Sequence, residues 1–170
     1  MKKLQHPVPD EHLKHIGDMT VSFALLESII QFFIWILFND DQRIGQIVTA
    51  ELSFSKLRAL LISLYLERFG DDGDCKTLRG LMQRASLVEQ KRNKITHSVW
   101  GAGGDADTIM RIKTTAKEKH GIKFHHEKFT AKDLSDFVGE IKKLALEIQD
   151  FNISLIDKSK HFKAKGVKNL

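Results

Sequence analysis

Apolar residues return at alternating intervals of three and four along most of this chain, the spacing that lines one face of an α-helix. Within residues 10–38 the series Leu13, Ile16, Phe23, Leu26, Ile30, Phe33 and Leu37 largely keeps this spacing and predicts a first helix from about Asp10 to Phe38. Its second half is apolar on the other faces too, through Leu25, Ile29, Phe32, Trp35 and Ile36. A helix that is apolar all round has to be covered on every side. A chain of 170 residues suits one well-buried domain better than two. The expected cover is therefore a second copy, with these five residues as the homodimer contact.

A second helical region is expected over about Gln42–Phe69, with a break near Ser53 or Ser55, either of which suits a helix start. Gly70 and the Asp71-Asp72-Gly73-Asp74 turn end it. A third helix is expected from about Cys75 to Ser98, burying Leu78, Leu81, Met82, Ala85, Val88 and Ile95, and the glycine-rich run Trp100–Asp105 breaks it. Period-two pairs, Ile112 with Thr114 and Ile122 with Phe124, predict two short strands over Thr108–Thr115 and Ile122–Phe129. Thr130 and Asp133 then read as the cap of a closing helix that buries Leu134, Phe137, Ile141, Leu144, Ile148, Phe151 and Leu155. The expected fold is mainly α. It is an up-and-down bundle of about four long helices with a small β-hairpin inserted before the last. Residues 1–157 form the single domain, and residues 158–170 a flexible basic tail.

Charge sharpens this picture only once it is located. Of 27 Lys and Arg residues, five (Lys158, Lys160, Lys163, Lys165 and Lys168) lie in the tail, which leaves 22 against 22 acidic residues in the body. Residues 76–94 are nevertheless locally cationic: Lys76, Arg79, Arg84, Lys91, Arg92 and Lys94 meet one acid, Glu89. A stretch of that kind is either a solvated helix face or a phosphate-binding one. The one cysteine, Cys75, allows no internal disulfide and suits a reducing compartment. Val21–Phe38 resembles a membrane span, but Glu27 lies inside it, and a carboxylate there costs about 2.5–3.5 kcal/mol on insertion. The N-terminus lacks a signal-peptide pattern. A cytoplasmic protein that meets no membrane is the expectation.

The candidate chemistry lies in Arg92-Asn93-Lys94-Ile95-Thr96-His97. If the third helix persists to Ser98, Glu89, Asn93 and His97 share one face, and Arg92 flanks it. His97 is suited to take the proton of a ribose 2′-hydroxyl, and Arg92 to stabilise the phosphorane as its charge grows. Asn93 is suited to orient the imidazole or the phosphate, and Glu89 to hold Arg92. Lys94 and Ser98 complete the supporting, nucleotide-binding set. The bland reading is a surface ion pair between Glu89 and Arg92, with His97 as a helix-terminal cation.

No cofactor or metal is expected. The acidic turn lacks the later carboxylate of a calcium loop, and neither His12 with His15 nor His120, His125 and His126 make a ligand set. The adjacent His125 and His126 are expected to point to opposite faces of their strand. Gly101–Gly104 follows a helix and has no P-loop lysine. Cys75 is placed in the loop that starts the third helix and has no partner histidine.

Arg-Asn-x-x-x-His, followed by Ser98 and the aromatic Trp100, resembles the motif of HEPN domains. The Leu26-Glu27 pair in a long first helix, the motif late in a later helix, and a long closing helix fit the same family. The hairpin insertion is a departure from it. The resemblance implies a metal-independent endoribonuclease, active as a homodimer whose two motifs form one site, with Arg92 and His97 catalytic. Such proteins belong to toxin and phage-defence systems and imply an antitoxin or nucleotidyltransferase-like partner. The alternative is a non-catalytic helical dimer that binds nucleotide, RNA or protein.

Overall fold

A computed structural model describes residues 6–38, 42–105, 107–117 and 121–164. The fold is mainly helical, with a small antiparallel sheet. Its elements are α1 (Asp10–Leu37), α2 (Gln42–Thr49), α3 (Phe54–Phe69), α4 (Gly73–Thr96), β1 (Val99–Ala102), β2 (Thr108–Lys117), β3 (Gly121–Thr130) and α5 (Ala131–Ala164). The chain divides into two compact units, residues 1–23 with 88–141 and residues 24–87 with 142–170, and α1, α4 and α5 contribute segments to both.

The second unit is helical. Phe33 of α1 and Tyr65 of α3 each meet Phe151 of α5, at 6.0 and 6.5 Å between ring centroids. Its core adds Leu26, Ile30, Leu57, Leu61, Leu78, Met82, Leu144 and Ile148. The expected second helical region is two helices. Ser53, in extended conformation, precedes α3 and accepts the amide of Leu57 at 2.9 Å through its carbonyl. Gly70 ends α3 with φ of 82°, a left-handed conformation that glycine takes without a Cβ clash. Gly45 lets α2 lie against α1, because a Cβ there would stand 2.8 Å from Cδ1 of Trp35. The indole Nε1 of Trp35 donates to Thr49 Oγ1 at 2.8 Å, so this member of the expected dimer face already has a neighbour in its own chain.

The acidic turn has structural work. Asp72 Oδ1 accepts the amide of Cys75 at 2.7 Å and caps α4, and it also accepts the Tyr65 hydroxyl at 3.2 Å. Asp71 pairs with Arg79 at 2.8 Å. Burial, reinforced by Asp72, pushes the Tyr65 phenol above its ordinary range. Cys75 belongs to α4 and is buried, in place of the expected loop position, and burial pushes its thiol up. A buried thiol that resists ionisation is no nucleophile.

The first unit holds the sheet, ordered β1-β2-β3. The two expected strands are present and extend to 117 and 130. The glycine-rich run, read as a plain break, supplies a third strand: Val99–Ala102 pairs antiparallel with β2, Trp100 opposite Arg111 and Ala102 opposite Ile109. Trp100 packs edge-on against Phe129 at 5.5 Å, which gives the strand a side chain worth ordering. At the start of α5 the expected reciprocal cap is complete. The amide of Thr130 donates to Asp133 Oδ2 at 2.8 Å, and the amide of Asp133 to Thr130 Oγ1 at 3.0 Å. The backbone amide of Thr130, then its hydroxyl, holds the Asp133 carboxyl below the usual carboxylate range. α5 continues to Ala164, past the expected start of the tail, and residues 165–170 lie outside the described residues.

One departure concerns the start of α1. Leu13 is exposed, and the buried positions there are His12 and Met19. The row His12, Ile16, Met19, Phe23, Leu26, Ile30, Phe33, Leu37 alternates strictly by four and three, and geometry keeps that row although it puts an imidazole in the first place. Both ring nitrogens of His12 lack a hydrogen-bond partner among the described residues. A buried polar group without a partner costs about 1–3 kcal/mol. His12→Leu should therefore raise stability by roughly 1 kcal/mol or more, read as a higher urea midpoint at unchanged slope. A lower midpoint would mean that a buried water or another group satisfies the ring.

Candidate functional site

The motif stands at the end of α4, in the first unit. The buried row of α4 runs Leu78, Leu81, Ala85, Val88, Arg92, Ile95, again by threes and fours, and Arg92 occupies a place the pattern assigns to an apolar side chain. Arg92 is half-buried, and its guanidinium lies over the ring of Phe23 of α1, 4.1 Å from the centroid. Contact of this kind is worth about 0.5–2 kcal/mol and holds the charge without neutralising it. The preceding residue, Lys91, rests on the Phe137 ring of α5 at 4.2 Å and pairs with Glu140 at 3.5 Å.

α4 ends at Thr96, two residues before the expected end at Ser98, but the amide of His97 still donates to the carbonyl of Asn93 at 3.1 Å. Asn93 and His97 thus keep the one-turn spacing that sets them on a common face. Glu89, one turn earlier, is half-buried, as is Asn93, while His97 and Lys94 are exposed. Ser98 does not join them. Its hydroxyl donates to the carbonyl of Lys94 and accepts Nε of Arg111 at 2.7 Å.

Arg111 is the residue that sequence reasoning missed. It lies on β2, is buried, and donates from Nε to the carbonyl of Lys94 at 3.0 Å. From Nη1 it donates to Glu127 of β3 at 3.1 Å. A cation placed on the last carbonyls of a helix satisfies acceptors that the helix leaves open and meets the negative end of its dipole. Trp100 Nε1 adds a second bond, to the carbonyl of Ile95 at 3.2 Å. The sheet therefore grips the turn that carries His97. The only sequence signal was a charged residue between Met110 and Ile112 in the expected strand.

Beside this grip a shallow cavity of about 380 Å³ is lined by Lys94, Arg111, Lys113, Thr115, His125, His126 and Glu127. His125 and His126 both line it, and the register keeps them on opposite faces as expected, His125 opposite Lys113 and His126 opposite Ile112. Among the described residues no three His, Cys, Asp or Glu side chains gather as a metal site. Comparison with protein-family models, curated proteins and solved structures found no match.

Arg111→Met keeps much of the bulk of the side chain but removes every donor. It should cost about 1–3 kcal/mol through the acceptors left unpaired, with amide exchange accelerated first at His97–Val99. Unchanged exchange there would remove Arg111 as the anchor of the motif turn.

Proposed function

We propose that this protein is a metal-independent endoribonuclease of HEPN type, cytoplasmic and dimeric, serving as a toxin or phage-defence effector beside an antitoxin or nucleotidyltransferase-like partner. What supports the reading is Arg92. A guanidinium in an apolar helix row, stacked on Phe23 and followed at five residues by an exposed imidazole, departs from the packing rule of its own helix. Such departures concentrate where function outweighs stability.

In this mechanism the His97 imidazole accepts the proton of a ribose 2′-hydroxyl, and the freed oxygen attacks the adjacent phosphorus. Arg92 stabilises the negative charge of the pentacoordinate intermediate, and Asn93 orients the phosphate. The 5′-oxygen leaves with a proton returned by the imidazolium. The products are a 2′,3′-cyclic phosphate and a 5′-hydroxyl, from RNA alone. Two motifs, one from each copy, form the working cleft.

His97→Ala and Arg92→Ala should each slow cleavage by about 10²–10⁴ at unchanged circular dichroism, and the wild-type reaction should persist in excess EDTA with cyclic phosphate ends. Unaltered cleavage by His97→Ala would exclude it from proton transfer. A second reading, a non-catalytic dimer that binds RNA, nucleotide or protein, draws on the same stacking, because Arg92 on Phe23 also serves as a packed structural cation. RNA binding without cleavage by the wild type would establish that one.

The dimer is proposed along a second row of α1, where Leu25 is 58% and Phe32 47% exposed and Ile29 and Ile36 are half-buried. α1 is also long and apolar enough to cross a membrane, with 39% of its most apolar window buried within the protein. Light scattering should give twice the 19.4 kDa chain mass at micromolar concentration, and Leu25→Asp/Phe32→Asp should return the monomer. A wild-type monomer would count against the shared cleft.

A further inference from the structure

The cavity beside the motif turn has a composition that the ribonuclease reading leaves unused. Its lining is Lys94, Arg111, Lys113, two imidazoles and the Thr115 hydroxyl, against one carboxylate, Glu127. That carboxylate is already engaged by Arg111 at 3.1 Å. Lys94, Lys113, His125 and His126 are exposed around the buried guanidinium. The pairing register places Arg111 opposite Glu127 and Lys113 opposite His125. One face of the hairpin therefore grades from a packed end, Ile109 and Phe129, to a cationic end, Lys113, Lys123 and His125.

We infer that this cationic end of the β2–β3 hairpin is a binding site for the phosphate backbone of single-stranded RNA, leading the strand across Lys94 onto the face of Asn93 and His97. The chemistry favours a nucleic acid over an acidic peptide. Residues two apart on a strand advance about 6.8 Å, close to one nucleotide of an extended chain, so Lys113 and Thr115 offer donors at successive phosphates, while the buried Arg111 stays with Lys94, Ser98 and Glu127. His125, opposite Lys113, adds a planar ring on which an unstacked base rests, a contact that an acidic side chain cannot make. Lys94 belongs to both places: it lines the cavity, and it lies three residues before His97 on the same turn of chain. The binding site stands without catalysis, and only the direction of the strand rests on the ribonuclease reading.

Lysine contacts to phosphate release counterions, so each contact on a single strand contributes about 0.7 to the slope of log affinity against log salt. The full chain carrying His97→Ala, to prevent cleavage, is titrated with a fluorescein-labelled oligouridylate across 50–200 mM salt. The same is done with Lys94→Gln/Lys113→Gln added. These lysines are exposed, and Arg111 is left in place so that the motif turn keeps its anchor. The double substitution should weaken binding and lower the slope by about 1.4, and Lys113→Arg should restore the share due to that residue. An unchanged slope overturns the site. Displacement of the RNA by polyglutamate as effectively as by unlabelled RNA also overturns it, in favour of an acidic protein partner. The two proposals fail separately. A wild type that never cleaves, with the slope lowered as stated, leaves the binding site and removes the enzyme. Cleavage with an unchanged slope does the reverse.

Discussion

The rest of this structure depends on keeping the apolar rows of its long helices out of water. In α1, α4 and α5 the buried positions advance by threes and fours with few exceptions, and side chains at that spacing form one continuous strip. Burial of each Leu, Ile or Phe is worth about 1.5–3 kcal/mol, far more than any single surface ion pair. The strip therefore dictates which residue turns inward even where chemistry objects, as at His12. Arg92 is the other objection. There the row is preserved by setting the guanidinium over the Phe23 ring, so that the long side chain packs while its charge is kept.

The helical part was legible because this periodicity is repeated many times and each repeat votes for the same face. The ends of α1, α3 and α5 followed from local signals: Asp10, the serine and glycine that bracket α3, and the Thr130–Asp133 cap. What escaped was decided by single contacts between distant residues. A strand of four residues, β1, has too few positions to show alternation, and it exists because Trp100 finds Phe129 and pairs opposite Arg111. The register of α1 at His12 escaped because an apolar Leu13 stands next to it and only geometry separates them.

The candidate site was half legible. Asn93 and His97 fall where a helix puts residues four apart, and that is arithmetic. The inward stacking of Arg92 and the withdrawal of Ser98 into a cap are tertiary facts. So is the engagement of a guanidinium 17 residues beyond Lys94 with that residue's carbonyl. The two partners belong to different elements, α4 and β2, and no periodicity links them. The hairpin read as an insertion is consequently bound to the motif turn: Arg111 joins the carbonyl of Lys94, the Ser98 hydroxyl and Glu127 in one hydrogen-bonded group.

The sheet has a further consequence, for how the protein keeps to itself. Among the described residues β3 pairs on one side only, with β2, so its outer edge offers a row of amides and carbonyls to any extended chain that arrives. An edge of ten residues carrying Ile122 and Phe124, both well exposed, is a template for annealing with another sheet. Lys123, Lys128 and the two histidines interrupt that template at intervals. Two such edges brought together antiparallel would set lysines and imidazoles against one another, with Glu127, the one acid of the strand, already bound to Arg111. The same cationic residues that crowd the hairpin therefore act as a guard on its edge, and a version of this strand with its charges neutralised would be a nucleus for aggregation.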